Sequence, residues 1–151
     1  MFMRLLAGRA AVLAADAERL VRPEDARPGL CGQVAAALAL RQPVADVIAR
    51  TGDEPMTARE VVALLQRAGV TVRTIWGTAF QQYADLHRAR YGGDAFRAVG
   101  FDTQANAGGG LGHAVYLEGR LYFEPSARTW HRATRADYAR WDVVAVLVPQ
   151  T

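Results

Sequence analysis

The sequence predicts an α+β fold, with helices gathered in the first half of the chain and a mostly antiparallel sheet in the second. Three observations carry that expectation. Apolar residues recur at helical spacing as far as Gly69. From Val70 onward, β-branched alternation with a period of two takes over. The strand-like runs after residue 95 include a tight hairpin at Glu118-Gly119.

Taken in order, residues 2–21 fit an amphipathic helix, with Phe2, Leu5, Leu6, Val12, Leu13 and Leu20 on one face. VRPEDARPG (21–29) combines two prolines, a glycine and four charges, and reads as a loop. LCGQVAAALAL (30–40) is apolar on every side, as a central buried helix must be. Pro43 ends it and opens a short helix near 44–50. Thr57-Ala-Arg-Glu60 is a capping box, followed by VVALLQRA with Gly69 as the stop. VTVRTIW (70–76) is the first strand. Residues 78–91 form a helix with Phe80, Tyr83, Leu86 and His87 at helical spacing, ended by Gly92-Gly93. FRAVGF (96–101), HAVYL (113–117), RLYFE (120–124) and VVAVLV (143–148) are further strands, with a short helix at 134–141 before the last. The glycine-rich stretch 102–112 is a loop, expected to be mobile and to border the functional cleft. No repeat or linker divides the 151 residues, which read as one domain over 1–151.

Composition narrows the function classes. No stretch approaches the roughly 18 consecutive apolar residues of a membrane span. MFMRLLAGRAAVLAADA has the basic residue and apolar run of a short signal peptide, but Arg9 interrupts it, so the segment reads as a retained helix. Localisation is therefore expected to be cytoplasmic, or secreted as an effector. The net charge of +3 comes from 18 Arg and no Lys. A GC-rich bacterial genome accounts for this; selection against lysine in a protein delivered to a foreign cytosol is the alternative. The arginines are scattered, without a run or aromatic interleaving, so no nucleic-acid partner is expected. His87, His113, His131 and the lone cysteine show no metal-ligand spacing, and GGGLG precedes a strand where a phosphate loop must precede a helix. Neither metal nor cofactor is expected.

Cys31 is the one cysteine, and it sits where a loop enters the buried helix. A helix start offers unpaired N–H groups and a positive dipole end, both favouring thiolate. Alone, such a residue is as readily a small core side chain. His113 changes that balance: it opens an apolar strand directly after GGGLG. If Glu118-Gly119 is a two-residue turn, paired positions sum to 237 and Glu124 lies directly opposite His113, placed to orient the ring and stabilise the imidazolium. A turn one residue later gives a sum of 239 and puts Ser126 there instead. Gly32 keeps the backbone beside the nucleophile open, and the Cys31 N–H can help hold an oxyanion.

A cysteine on a helix, then a histidine on a strand, then an acid before proline resembles the papain-like cysteine peptidase superfamily. The match is nearest to its bacteriocin-exporter leader-peptidase-like group, with papain-fold polymorphic toxins as neighbours. LCGQVAAALAL resembles the group's central helix, and PVADVIARTGDEPMTAREVVALLQRAGVTVRTI its second helix pair and first strand. GHAVYLEGRLYFEPSARTWHRAT is similar to its His strand, hairpin and acid-Pro turn, and RADYARWDVVAVLVP to its closing helix and strand. The likeness covers roughly residues 28–149.

It implies a helical part whose central Cys helix packs on a C-terminal antiparallel sheet. It also implies a Cys31 nucleophile, a His113 general base and a Glu124 orienting acid. Two departures stand out. The family's acid is normally Asp before Pro, here Glu124-Pro125. Its oxyanion Gln about six residues before the cysteine is replaced by Asp25. Gln33, Arg22 or Arg27 would have to substitute, and Gly112 is a further candidate at the substrate site. The expected activity is peptide or protein cleavage through a thioester at Cys31. The alternatives are a papain-fold toxin or effector deamidating glutamine, and an inactive peptide-binding module. The expected partners are a peptide or protein substrate and an immunity or inhibitor protein.

Overall fold

The computed structural model describes residues 2–76, 80–92, 96–104 and 112–149, of which 2–10, 80 and 81 by backbone alone. In chain order the elements are α1 (Phe2–Leu20), a single 3-10 turn (Pro23–Ala26), α2 (Cys31–Leu40), α3 (Val44–Thr51), α4 (Ala58–Arg67), β1 (Val72–Trp76) and α5 (Phe80–Tyr91). Then follow β2 (Arg97–Asp102), β3 (His113–Glu118), β4 (Leu121–Glu124), β5 (Thr129–Arg132), α6 (Arg135–Arg140) and β6 (Val143–Leu147). The strands form one antiparallel sheet in the order β1-β6-β2-β3-β4-β5, so the architecture is α+β. No helix among the described residues is long and apolar enough to cross a membrane.

Both faces of the sheet are covered. On one face, Val99, Phe101, Ala114, Tyr116, Phe123, Val143, Ala145 and Leu147 pack against α1–α4. On the other, Ala98, Val115, Leu117, Val144 and Val146 pack against Ala84 of α5 and Trp141 beside α6. Double coverage explains why β6 is apolar at every position, since neither of its faces meets water. Helix α2 lies at the centre of the first layer, with Gly32–Ala39 all buried. Its alanines let it approach β2 and β3 closely. Arg41 ends it in the left-handed region (φ 57), with the N–H groups of Arg41 and Gln42 closing on Leu38 and Ala37 carbonyls. The capping box at Thr57 and Glu60 forms as the sequence predicts, each side chain accepting from the other residue's N–H.

Several expectations need correction. The predicted apolar stripe of α1 included Val12, which is 53% exposed; the buried line runs through Leu13, Ala17 and Leu20. On α5 the buried face is Ala84, His87 and Arg88, while Leu86 is 64% exposed. Arg88 can lie inward because it donates to the Gly119 carbonyl and the Tyr138 hydroxyl and covers the Phe96 ring. The stretch 127–135, to which the sequence assigns no strand, contains β5, where His131 stacks on Tyr122. The loop at 21–29 holds the 3-10 turn, and β1 begins two residues later than expected. Within the predicted loop 102–112, residues 105–111 lie outside the described residues, and with them its mobility.

The hairpin turn is also displaced. Observed pairs are Tyr116↔Phe123, Leu117↔Tyr122 and Glu118↔Leu121, a sum of 239, so the central turn residues are Gly119 and Arg120. Gly119 alone carries positive φ (62), the glycine-first pattern of a type II′ turn; Glu118-Gly119 as the central pair would need positive φ at both in a type I′ turn. Glu118, read as a turn residue, is instead the buried last residue of β3.

Candidate active site

The site forms where α2 begins and β3 begins. No side chain caps α2, whose N-cap position is Leu30, so its first-turn N–H groups are open to an anion. The β3–β4 ladder reaches only to Tyr116, which leaves the first residues of β3 to the Cys helix. There the Ala114 and Gly32 N–H groups lie beside the Cys31 sulfur and favour its charged form. His113 hydrogen-bonds the same sulfur. Its Nε2 lies 2.7 Å from Glu124 Oε1, which leaves Nδ1 to face Cys31. Glu124 Oε1 also accepts from Ser126 Oγ at 3.0 Å and from the Ser126 N–H at 3.4 Å.

The displaced turn does not separate His113 from Glu124. Moving a two-residue turn by one position changes each partner by two, and two residues along a strand return to the same face. Glu124 therefore falls opposite Val115 and meets His113 diagonally across the ladder. Diagonal neighbours stand about 7–8 Å apart, within reach of a long side chain. Ser126 then binds the carboxylate rather than the imidazole.

The electrostatics follow from this chain of contacts. Burial opposes ionisation of Cys31, but the His113 hydrogen bond, the two N–H groups and the imidazolium charge prevail, and the thiol falls below its ordinary range. His113 is pushed up to about 10, first by its bond to Cys31 and then by that to Glu124, against the effect of burial. Burial also opposes the Glu124 charge, yet His113 and Ser126 hold its carboxyl below the usual range. A thiol pulled down beside an imidazole pushed up favours placing their shared proton on the ring, toward a thiolate–imidazolium pair.

The other candidates have different occupations. Gln33 is fully buried, and its amide nitrogen donates to the carbonyls of Gly52 and Glu54, at 3.2 and 2.7 Å. Both N–H bonds are thereby committed to pinning the α3–α4 connection against α2, so Gln33 is not a free oxyanion donor. Asp25 accepts the Arg22 N–H at 2.8 Å across the 3-10 turn. The Arg22 and Arg27 side chains are largely exposed and pair with Glu24 and Asp53. Gly112 has φ 88, and a Cβ there would stand 2.7 Å from the Asp102 carbonyl oxygen. Its role is to let the chain re-enter the sheet beside Asp102, directly ahead of His113. Gly32 has a similar cause: its missing Cβ makes room for Met56 and Val61, at 3.1 and 3.3 Å.

The Ala114 N–H carries no sequence signal, because a backbone donor leaves no side-chain signature. Equally silent in sequence is a half-buried charged cluster at the far end of α2. Arg97 donates to the Leu38 and Ala39 carbonyls and to the Tyr116 hydroxyl. Glu118 accepts from Tyr116 at 2.7 Å and pairs with Arg41 and Arg97. This cluster fixes the C-terminal end of the helix that bears Cys31 at its other end. No known family model matches the chain, and neither does any curated protein.

Proposed function

We propose that the protein is a papain-like cysteine enzyme that cleaves a peptide or protein by acyl transfer through Cys31. The observation that carries this reading is the unbroken chain Cys31–His113–Glu124, assembled at an uncapped helix start. In the first step the thiolate attacks a peptide carbonyl carbon, the C–S bond forms, and the π electrons move to oxygen. The imidazolium then gives its proton to the leaving nitrogen as the C–N bond breaks, leaving a thioester. Water, deprotonated by His113, attacks that thioester; the C–S bond breaks and the proton returns to the pair. Glu124 holds the ring and stabilises its charged form throughout. A glutamine side chain would react identically with ammonia as leaving group, so deamidation by a papain-fold effector is the same chemistry on another substrate.

One observation favours a second reading, a peptide-binding module of the same fold. The candidate side chains for an oxyanion donor are occupied elsewhere, Gln33 by carbonyls and Asp25 by the Arg22 N–H. The oxyanion would then depend on first-turn N–H groups such as that of Cys31, weaker support than a dedicated amide. Iodoacetamide labelling followed by intact mass separates these readings from a core cysteine. The native protein should label rapidly at about pH 6, and His113→Ala slowly. Labelling that needs denaturant would mean that Cys31 is packing material. Rapid labelling without turnover of peptide or glutamine substrates would select the binding module.

A further inference from the structure

We propose that Ser126 is a positioning residue of this site, holding the Glu124 carboxylate as the acceptor for His113. The proposal rests on the acyl-transfer reading and deepens it. Glu124 reaches His113 diagonally, from the last position of β4, with about a fifth of its side chain exposed. A glutamate at a strand end has solvent-facing rotamers available, and ordering it costs conformational entropy. Ser126 opposes that freedom with two donors on the oxygen that faces the imidazole: the hydroxyl at 3.0 Å and the backbone N–H at 3.4 Å.

The segment that carries Ser126 is itself fixed. Pro125 before it is buried and has its φ set by the ring. Arg128 after it takes the left-handed region (φ 52), and its guanidinium donates to the Val21 carbonyl at 2.7 Å, tying the turn to the end of α1. The β4–β5 turn is therefore a rigid mount for a hydroxyl aimed at Glu124, as well as a connection between strands. The titratable groups facing Glu124 are His113 from β3 and Tyr122 on its own strand, with Cys31 beyond the imidazole. Ser126 adds to these an uncharged donor, which favours the carboxylate over the carboxylic acid without competing for the proton.

The test compares wild type, Ser126→Ala and Ser126→Thr. The readouts are the ultraviolet thiolate absorbance of Cys31 and its alkylation rate, from about pH 5 to about pH 8. Removing the hydroxyl makes Glu124 easier to protonate and freer to swing away. Ser126→Ala should therefore label about three- to tenfold more slowly near pH 5, with a smaller loss near pH 8. Thr, which keeps the hydroxyl, should restore the acid limb. A Ser126→Ala protein with the wild-type acid limb would overturn the proposal. So would an equal slowing at every pH accompanied by lowered unfolding stability, the signature of a merely structural turn residue. The two readings fail separately: a wild type with no low-pH thiolate removes the acyl-transfer reading and Ser126's role with it. An activated wild type with an unaffected Ser126→Ala removes Ser126's role alone.

Discussion

Shortening the acid by one methylene, Glu124→Asp, tests the diagonal geometry directly. The replacement removes one C–C bond, about 1.5 Å of reach. The His113–Glu124 contact of 2.7 Å would open to about 4 Å, outside hydrogen-bond range. A hydrogen bond to a charged group contributes about 1.5–3 kcal/mol in a buried setting. Side-chain exposures of 19% and 23% admit water to this one, so about 1–1.5 kcal/mol is the expected loss. That corresponds to roughly tenfold, or about one pH unit on the imidazole titration. His113 should move down from about 10 by that amount, and the Cys31 thiol should move up. Imidazole nitrogen NMR reads the first shift, and alkylation rate against pH the second. Glu124→Gln is the companion variant: it keeps the reach but not the charge, so it should orient the ring while stabilising the imidazolium poorly. If Glu124→Asp labels as fast as wild type and leaves the His113 titration in place, the carboxylate does not act through this bond. The diagonal reach would then not be the reason for a glutamate at this position.

Three further outcomes are expected. A His113 value raised from 6.5 to about 10 contributes stability that is complete below 6.5 and lost as pH rises through about 10. The lowered Cys31 value contributes stability complete above 9.0 and lost as pH falls through its folded value. Of the Cys31–His113 pair, only the His113 contribution is still falling between pH 9 and about 10, so urea-unfolding stability should decline there more steeply in wild type than in His113→Ala. Gly112→Ala would place a methyl against the Asp102 carbonyl at positive φ; a cost of about 2–4 kcal/mol by urea unfolding is expected, with slower Cys31 alkylation. An unchanged Gly112→Ala would show that the neck ahead of His113 is slack. Glu118→Ala leaves Arg41 and Arg97 without their shared carboxylate and should cost about 3 kcal/mol, read by the same denaturant titration; a loss below about 1 kcal/mol would mean that water replaces it.

Local signals made much of this fold legible. The Thr57–Glu60 box, Pro43 after α2 and the apolar β6 each act through neighbours in sequence, and each appears within a residue or two of its expected place. What escaped depended on conformations or contacts that composition does not mark. Strand β5 was hidden because its turn uses Arg128, not glycine, in the left-handed region, and because Trp130 is its only apolar residue. The turn at 119–120 lies one residue past its expected place because Gly119 comes first in it, whereas the Glu118-Gly119 pair suggests glycine second. The burial of Glu118 and Arg88 carries no local signal, because their partners come from distant segments. The pairing of His113 with Glu124 survived the wrong register through strand parity alone.

Helix α2 is gripped at both ends and smooth along its length. Gln33 ties one end to the Gly52 and Glu54 carbonyls; Arg97 holds the other by the carbonyls of Leu38 and Ala39. Between these grips, Ala35, Ala36 and Ala37 present single methyl groups to the core, none of them exposed. At 1.5 Å per residue, the ten-residue helix is a rod about 15 Å long, packed on β3. His113 belongs to β3 and Cys31 to the rod, so the gap between sulfur and imidazole depends on how closely the rod packs against the strand. Divergence in such a protein is constrained unusually: a conservative Ala36→Val drift, tolerable in most cores at some cost in stability, would here also detune the thiol, at a residue that touches no reacting atom. Sequence variation can therefore accumulate on the outer surfaces of α1, α5 and α6 while α2 keeps its composition.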